Sequence, residues 1–261
     1  MLKIYKAKKF IRVLEEGGHT KPWLIEVESE AQMRVVMKLY TTTQIESRNS
    51  ITAEIIGNIL AKEFDFSVPE ILFVETTGIF FETIENEELK NTLSQTDERL
   101  KFASVYIDSA TKLEFELELD FLEKNINLEN LYAFDNFIRN GDRGERKTNM
   151  IIQTETAEIF LIDHEMAFDL DKQTINNFQN KQWEGKFSTY HFANFYLKEK
   201  QNVDFFEFEE YIKTLNLSKL KPYFQQLEDL GFDTQEDLIT EYLLHIKQNF
   251  TNFITLLKMT I

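Results

Sequence analysis

Residues 134–168 read FDNFIRNGDRGERKTNMIIQTETAEIFLIDHEMAF, and the fold turns on how this stretch divides. Leu128, Leu131, Phe134 and Ile138 recur at spacings of three and four, which predicts a helix that runs into it and stops at Asn140-Gly141. The polar segment GDRGERKTN, Gly141 to Asn149, predicts a loop. Met150 to Gln153 and Ile159 to Ile162 are apolar runs separated by a turn, a hairpin that ends in Asp163. Helix, loop and hairpin thus set out Asp142 in the loop, Asn149 seven positions on, and Asp163 at the far end of the hairpin.

Those residue types in that order suit phosphoryl transfer. One carboxylate can orient an attacking hydroxyl and accept its proton, while a carboxamide oxygen and a second carboxylate are hard ligands for magnesium on nucleotide phosphates. Asp142 is the predicted base; Asn149 and Asp163, at the two open ends of one hairpin, are the predicted metal ligands. Each also has an ordinary structural use: Asp142 as a turn residue after Asn140-Gly141, Asn149 closing the loop, Asp163 capping a strand end. Their combination favours the chemistry.

Upstream, Trp23 to Val27 and Arg34 to Tyr40 predict an antiparallel hairpin with Lys38 in its second strand. Ile51, Ile55, Ile59 and Leu60 predict a helix from about Ser50 to Phe64, with Glu54 in its second turn and Val68-Pro69 ending it. Ile71 to Val74 and Ile79 to Ile84 read as two more strands around a Thr-Thr-Gly turn, so this part is a small sheet with one helix. A strand lysine can hold nucleotide phosphates when a carboxylate fixes its flexible stem, and Glu54 lies sixteen positions after Lys38. By itself Lys38 would be a lysine snorkelling at a sheet edge. Gly17-Gly18-His19-Thr20 joins two β-like segments, where glycines let backbone N–H groups approach phosphate; Gly17, Gly18 and Thr20 are candidate nucleotide contacts. Phe81, Glu82 and Thr83, at the end of the last predicted strand, are placed to meet adenine, so Glu82 joins the candidates.

Beyond residue 85 helical periodicity dominates. Phe205 to Leu215, Leu217 to Leu230 and Thr234 to Lys258 predict a helical scaffold, the last N-capped by Asp233-Thr234. With 261 residues, 43% apolar and 24 Phe, the chain has ample material for a core. Only 8 Gly and 3 Pro argue against collagen-like and loop-dominated β architectures. The absence of Cys excludes thiol catalysis, zinc-cysteine sites and disulfides. Four His without ligand spacing leave His164 and His191 to packing or hydrogen bonding. A formal charge of −16 argues against a nucleic-acid backbone as a direct partner. No stretch has the length of a membrane span, and MLKIYKAKKF lacks the apolar core of a signal peptide, so a cytoplasmic location is expected. The acidic runs Glu82 to Glu88 and Glu114 to Asp120 read as solvated faces.

Five stretches occur in order over roughly the first two thirds of the chain: GGHTKPWLIEV at Gly17 to Val27, VVMKLY at Val35 to Tyr40, AEIIGNILAKEF at Ala53 to Phe64 with SVPE behind it, FDNFIRNGDRGERKTN at Phe134 to Asn149, and LIDHEMAF at Leu161 to Phe168. In these the sequence resembles the HipA-like kinases, in particular the short HipA-related kinase domain of the protein kinase and phosphatidylinositol kinase superfamily. The branch's Asn-x-Asp-Arg segment, leading to Asn and an aliphatic pair, matches Asn140, Asp142, Arg143, Asn149, Met150 and Ile151. Its Ile-Asp-His segment matches Ile162-Asp163-His164, and where the family often carries Gly next this chain has Glu165.

The resemblance implies an α+β, bilobal protein-kinase-like fold: a small β-rich N-lobe with one helix over residues 1–84 and a larger, mainly helical C-lobe over 85–261. It implies ATP and Mg2+ as cofactors and a protein Ser or Thr hydroxyl as acceptor. In that reading Asp142 aligns the hydroxyl, Lys38 paired with Glu54 holds phosphates, Asn149 and Asp163 bind magnesium, and Gly17 to Thr20 covers the nucleotide. Alternatives of the same fold are a small-molecule or lipid-headgroup kinase and a nucleotide-binding pseudokinase acting as an interaction module. Relatives include toxin kinases held by DNA-binding antitoxins, which makes an antitoxin-like protein a candidate partner; no direct nucleic-acid or membrane contact is expected.

Overall fold

The computed structural model describes residues 1–14, 21–179 and 190–261, and the chain divides into two compact units. The predicted nucleotide loop Gly17 to Thr20 lies outside the described residues.

The first unit comprises Met1–Thr52, Pro69–Asp108 and Pro222–Thr234. Its strands are β1 (Ile4–Val13), β2 (Trp23–Val27), β3 (Arg34–Met37), β4 (Ile71–Glu75) and β5 (Lys101–Val105). They close into a barrel in the order β1-β2-β3-β5-β4, with β1 running parallel to β4 to complete the ring. Trp23, Ile25 and Val27 on β2 and Val35 and Met37 on β3 are all buried, because the pleat turns every second side chain inward. The predicted hairpin is present, with Trp23 opposite Met37 and Ile25 opposite Val35. Lys38 stands one residue past β3, and its N–H still donates to the Phe102 carbonyl at 3.0 Å.

The sheet extends beyond residue 84, because β5 pairs with both β3 and β4. The unit also carries more than one helix: α1 (Thr42–Arg48), the first residues of α2 (Ser50–Glu63), α3 (Gly78–Glu82) and α4 (Glu87–Ser94). Helix α3 replaces the strand expected at Ile79 to Ile84. Thr77 caps it, its Oγ1 accepting from the Phe80 N–H at 3.4 Å. Phe80 and Ile84, four apart, are buried, while Ile79, just before Phe80, is 77% exposed; the inward face has the helical period, not the alternation of a strand. Glu82 therefore ends an exposed helical turn, which removes the strand-end geometry behind its predicted adenine contact.

The second unit comprises Ala53–Val68, Ser109–Lys221 and Gln235–Ile261. A sheet of β6 (Ala110–Lys112), β7 (Met150–Gln153) and β8 (Ile159–Leu161), antiparallel throughout, contains the predicted hairpin and an added strand. The remaining helices in chain order are α5 (Leu119–Asn125), α6 (Leu128–Phe137), α7 (Lys172–Gln179), α8 (Phe192–Leu197), α9 (Phe206–Thr214), α10 (Lys221–Asp229), α11 (Glu236–Gln248) and α12 (Phe250–Lys258), of which α10 falls, but for Lys221, in the first unit. A 3-10 turn at Leu217–Leu220 precedes α10, where the chain passes into the first-unit segment Pro222–Thr234. Phenylalanines build the core: Phe64, just after α2, lies 5.4 Å from Phe134, 5.5 Å from Phe137 and 5.2 Å from Phe208. These aromatic contacts join α6 to α9 around the end of α2.

The predicted last helix is two, broken at Asn249, and its cap is Gln235 at φ 52°. Thr234 stands one residue before that cap, and its hydroxyl donates to Glu228 at 3.0 Å. The result is a mixed α+β molecule, β-rich toward the N-terminus and mainly helical beyond. Among the described residues no helix is long and apolar enough to cross a membrane.

Candidate active site

The loop predicted to be catalytic hangs from α6. Every residue from Asn130 to Phe137 on that helix is buried, so its C-terminal end is fixed in the core. Arg139 then takes φ 57°, and Asn140 returns its N–H to the Asp135 carbonyl at 2.7 Å, turning the chain into the loop. Beneath the loop sits a buried charge cluster. Asp135 Oδ2 accepts from Arg143 Nε at 2.6 Å and meets His191 Nε2 at 2.8 Å, while Asp135 Oδ1 accepts from Asn140 Nδ2 at 3.0 Å. Asp135 and Arg143 are completely buried. Burial alone would raise the Asp135 carboxyl pKa, but Arg143 and His191 hold it well below the usual carboxylate range.

Arg143 also donates to the Thr148 carbonyl at 3.4 Å and, from the same nitrogen, to the Asn149 carbonyl. The Phe192 N–H donates to the Arg143 carbonyl at 2.8 Å, and Gly144 N–H to the Lys147 carbonyl at 3.0 Å. A loop that looked merely polar is therefore held at both ends by one buried guanidinium. His191 serves as the hydrogen-bonding group expected of it, and His164 as a packed ring, 6.4 Å from the Phe134 ring.

On this base the structure brings Asp142, Asn149 and Asp163 together. The Asn149 amide donates to the Asp142 backbone carbonyl at 3.0 Å and to its Oδ2 at 3.1 Å, which directs the carboxamide oxygen elsewhere. Lys147 Nζ lies 2.6 Å from Asp142 Oδ2 and 2.9 Å from Asp163 Oδ2, bridging the predicted base and the predicted metal ligand. Burial would lower the Lys147 pKa, but Asp163 and Asp142 raise it above the ordinary lysine value. Asn149 and Asp163 adopt φ 49° and 62°, left-handed conformations that Asn and Asp tolerate better than most residues. The Ile162 N–H donates to the Asn149 carbonyl at 3.0 Å, so Asn149 and Asp163 sit at the open end of the β7-β8 hairpin, away from its turn.

Glu54 reaches the same region from α2. Its Oε2 accepts from the His164 N–H at 3.1 Å, and one oxygen each from Glu54, Asp163 and Glu165 lie within 4.8 Å of one another. Three carboxylate oxygens so placed are a donor set that fits a hard divalent cation such as magnesium. Gly57, one helical turn after Glu54, allows this approach: a Cβ there would stand 2.7 Å from the His164 Cβ.

Of the sequence-predicted residues, Glu54, Asp142, Asn149 and Asp163 belong to the second unit, and Lys38 and Glu82 to the first. Lys38 is half-buried, its Nζ 5.8 Å from the centre of the Tyr40 ring. Sequence reasoning missed Lys147, Glu165 and the Asp135–Arg143–His191 cluster. Lys147 had a signal, a lysine five positions after a candidate base in a loop bounded by acids; Asp135 and His191 had none, being 56 positions apart.

An α+β fold with an Asp, Asn and Asp set gathered on one loop and hairpin defines a kinase-like protein. The chain belongs to the HipA-like kinase family, whose profile matches residues 8–214. Its fold is similar to that of CtkA, a proinflammatory kinase from Helicobacter pylori, with a TM-score of 0.52 and 10% identity over 100% of this chain and 98% of that one. Among curated proteins nothing matches the sequence.

Proposed function

We propose that the protein transfers the γ-phosphoryl group of ATP to a Ser or Thr hydroxyl of a protein. The observation that carries this reading is the clustering of Asp142, Asn149 and Asp163 around the Lys147 ammonium. Asp142 would accept the proton of the attacking hydroxyl. Its side chain is about a third exposed, hydrogen-bonded by Asn149 and paired with Lys147, so it is both reachable and oriented. Lys147 would offer positive charge where phosphoryl oxygens gather. Asp163 and the Asn149 carboxamide oxygen would hold magnesium, with Glu54 and Glu165 supplying further carboxylate oxygens. When bound, the ion neutralises charge on the nucleotide phosphates. Lys38 keeps the nucleotide-phosphate role that the family resemblance implies for it.

Transfer from radiolabelled ATP to a panel of proteins and to small-molecule hydroxyl acceptors tests the reading. Asp142→Asn is expected to lower transfer by about 10²–10⁴-fold while thermal stability stays near that of the parent. Asp163→Asn should reduce it comparably and raise the magnesium requirement. Undiminished transfer in both variants would sink the assignment, and transfer confined to small molecules would move the acceptor. Lys38→Met keeps a long apolar stem, so it should weaken nucleotide binding and leave the first unit folded. Unfolding with unchanged ATP affinity would make Lys38 structural.

A further inference from the structure

Lys147 is shared between two of the proposed roles. Its Nζ lies 2.6 Å from Oδ2 of Asp142, the base, and 2.9 Å from Oδ2 of Asp163, a metal ligand. Asp163 is also one of the three residues, with Glu54 and Glu165, whose oxygens converge within 4.8 Å. An ammonium and a divalent cation are thus drawn to one carboxylate. Like charges a few ångströms apart repel, and more strongly in a half-buried site than in water, so each weakens the other's hold on Asp163.

The surrounding structure separates the backbone of this lysine from its charge. The Lys147 carbonyl accepts from the Gly144 N–H at 3.0 Å. Thr148, next in the chain, is buried, and its hydroxyl donates to the Leu113 carbonyl at 2.6 Å. The Lys147 side chain, by contrast, is 39% exposed and carries its charge on a flexible four-carbon stem. The ammonium can therefore leave Asp163 while the loop stays in place. Asp142 keeps its orientation without it, because the Asn149 amide also donates to Asp142 Oδ2, at 3.1 Å.

A dication on Asp163 cancels the attraction that holds Lys147 there, and phosphoryl oxygens offer the ammonium another anion. We propose that Lys147 is an internal competitor for the metal site: it holds Asp163 against a divalent cation that arrives alone and yields it to one that arrives with phosphate. Metal and nucleotide then each raise the affinity for the other, by the same factor. This role rests on the phosphoryl-transfer reading of the site and adds to it how the site fills.

The test is titration of the full chain with Mn2+, a spectroscopic stand-in for magnesium on carboxylates. Electron paramagnetic resonance follows the free ion, and Asp163→Asn marks the component of binding that belongs to the site. Without nucleotide, Lys147→Met is expected to bind Mn2+ about fivefold or more tightly than the parent, and Lys147→Arg, which keeps the charge, should stay close to the parent. Adenylyl imidodiphosphate, whose phosphates engage Lys147 in the parent, should narrow the gap between parent and Lys147→Met. The sign of the effect discriminates, since replacing a lysine that merely braces the loop would loosen the site and weaken Mn2+ binding. Equal or weaker Mn2+ binding by Lys147→Met, a gap that the nucleotide leaves unchanged, or the lack of an Asp163-dependent component in both proteins would each overturn the proposal. If Lys147→Met does not fold, Lys147→Gln carries the same expectation. Failure of the phosphoryl-transfer reading shows separately, as transfer undiminished in Asp142→Asn.

Discussion

Asp135 shows how one buried residue can fix the loop that carries Asp142. The carboxylate is wholly buried, so it is tolerable only because Arg143, His191 and Asn140 surround it. Asp135→Asn removes the charge that Arg143 answers, and Arg143 is the group that holds both ends of the catalytic loop. We expect a loss of about 3–5 kcal/mol in urea unfolding at neutral pH, the cost of a buried charge left without its partner. The pH dependence has a definite sign. Because the folded pKa is depressed, the contribution is complete above the ordinary carboxylate range and fades as pH falls from about 4 toward the folded value. Parent stability should therefore decline over that acid window more steeply than that of Asp135→Asn, and parallel curves would refute the linkage. At this scale the gathering of Asp142, Asn149 and Asp163 was legible in the sequence because they fall within one helix-loop-hairpin, where spacing converts to position. Asp135, His191 and Glu165 were not, because only packing brings them to the loop.

Among elements, α2 has the most to do. It brings Glu54 to the His164 N–H and, through Gly57, lets the Ile162-Asp163-His164 segment lie against it. Two effects compete at Gly57→Ala. Helix propensity favours alanine by about 0.8–1 kcal/mol, while the new Cβ would stand 2.7 Å from the His164 Cβ and 3.0 Å from Cγ. A clash with the base of a side chain cannot be relieved by a rotamer change, and overpacking of this kind costs about 1–3 kcal/mol. The variant should be net destabilised and slower in phosphoryl transfer; a stabilised variant would show that the hairpin end yields freely. The strands and helices with strong period, β2, β3, α2 and α6, were readable in advance. Helix α3 was not, because Ile79-Phe80-Phe81 is equally apolar in either conformation and the Thr77 cap decides. Strand β5 was hidden for a different reason: its KFASV sequence carries little pattern until β3 and β4 flank it.

The whole molecule is organised by exchange of segments between its units. Residues 53–68 belong to the second unit although first-unit residues lie on both sides, and Pro222–Thr234 belongs to the first although second-unit residues flank it. A boundary near residue 84 was the natural reading of the sequence, since periodicity reports local structure and is silent on which distant segments pack together. The returning segment is well anchored. Gln226 exchanges two hydrogen bonds with the Leu2 backbone, at 2.7 and 2.8 Å, and Phe232 stacks on Phe73 at 6.0 Å with the Arg99 guanidinium 4.8 Å from its centre. Phe232→Ala is expected to destabilise the first unit by about 3–5 kcal/mol, readable as faster hydrogen exchange in β4. Unchanged exchange would mean that the segment is an ornament on a barrel that stands without it.

That interleaving bears on how the protein comes into being. On a ribosome, the five strands of the barrel have all emerged by residue 105, but Gln226 and Phe232 have not, and the other unit still awaits α11 and α12. The first unit therefore gains Pro222–Thr234 more than a hundred residues after its last strand, and in that interval the barrel lacks its Gln226 and Phe232 contacts.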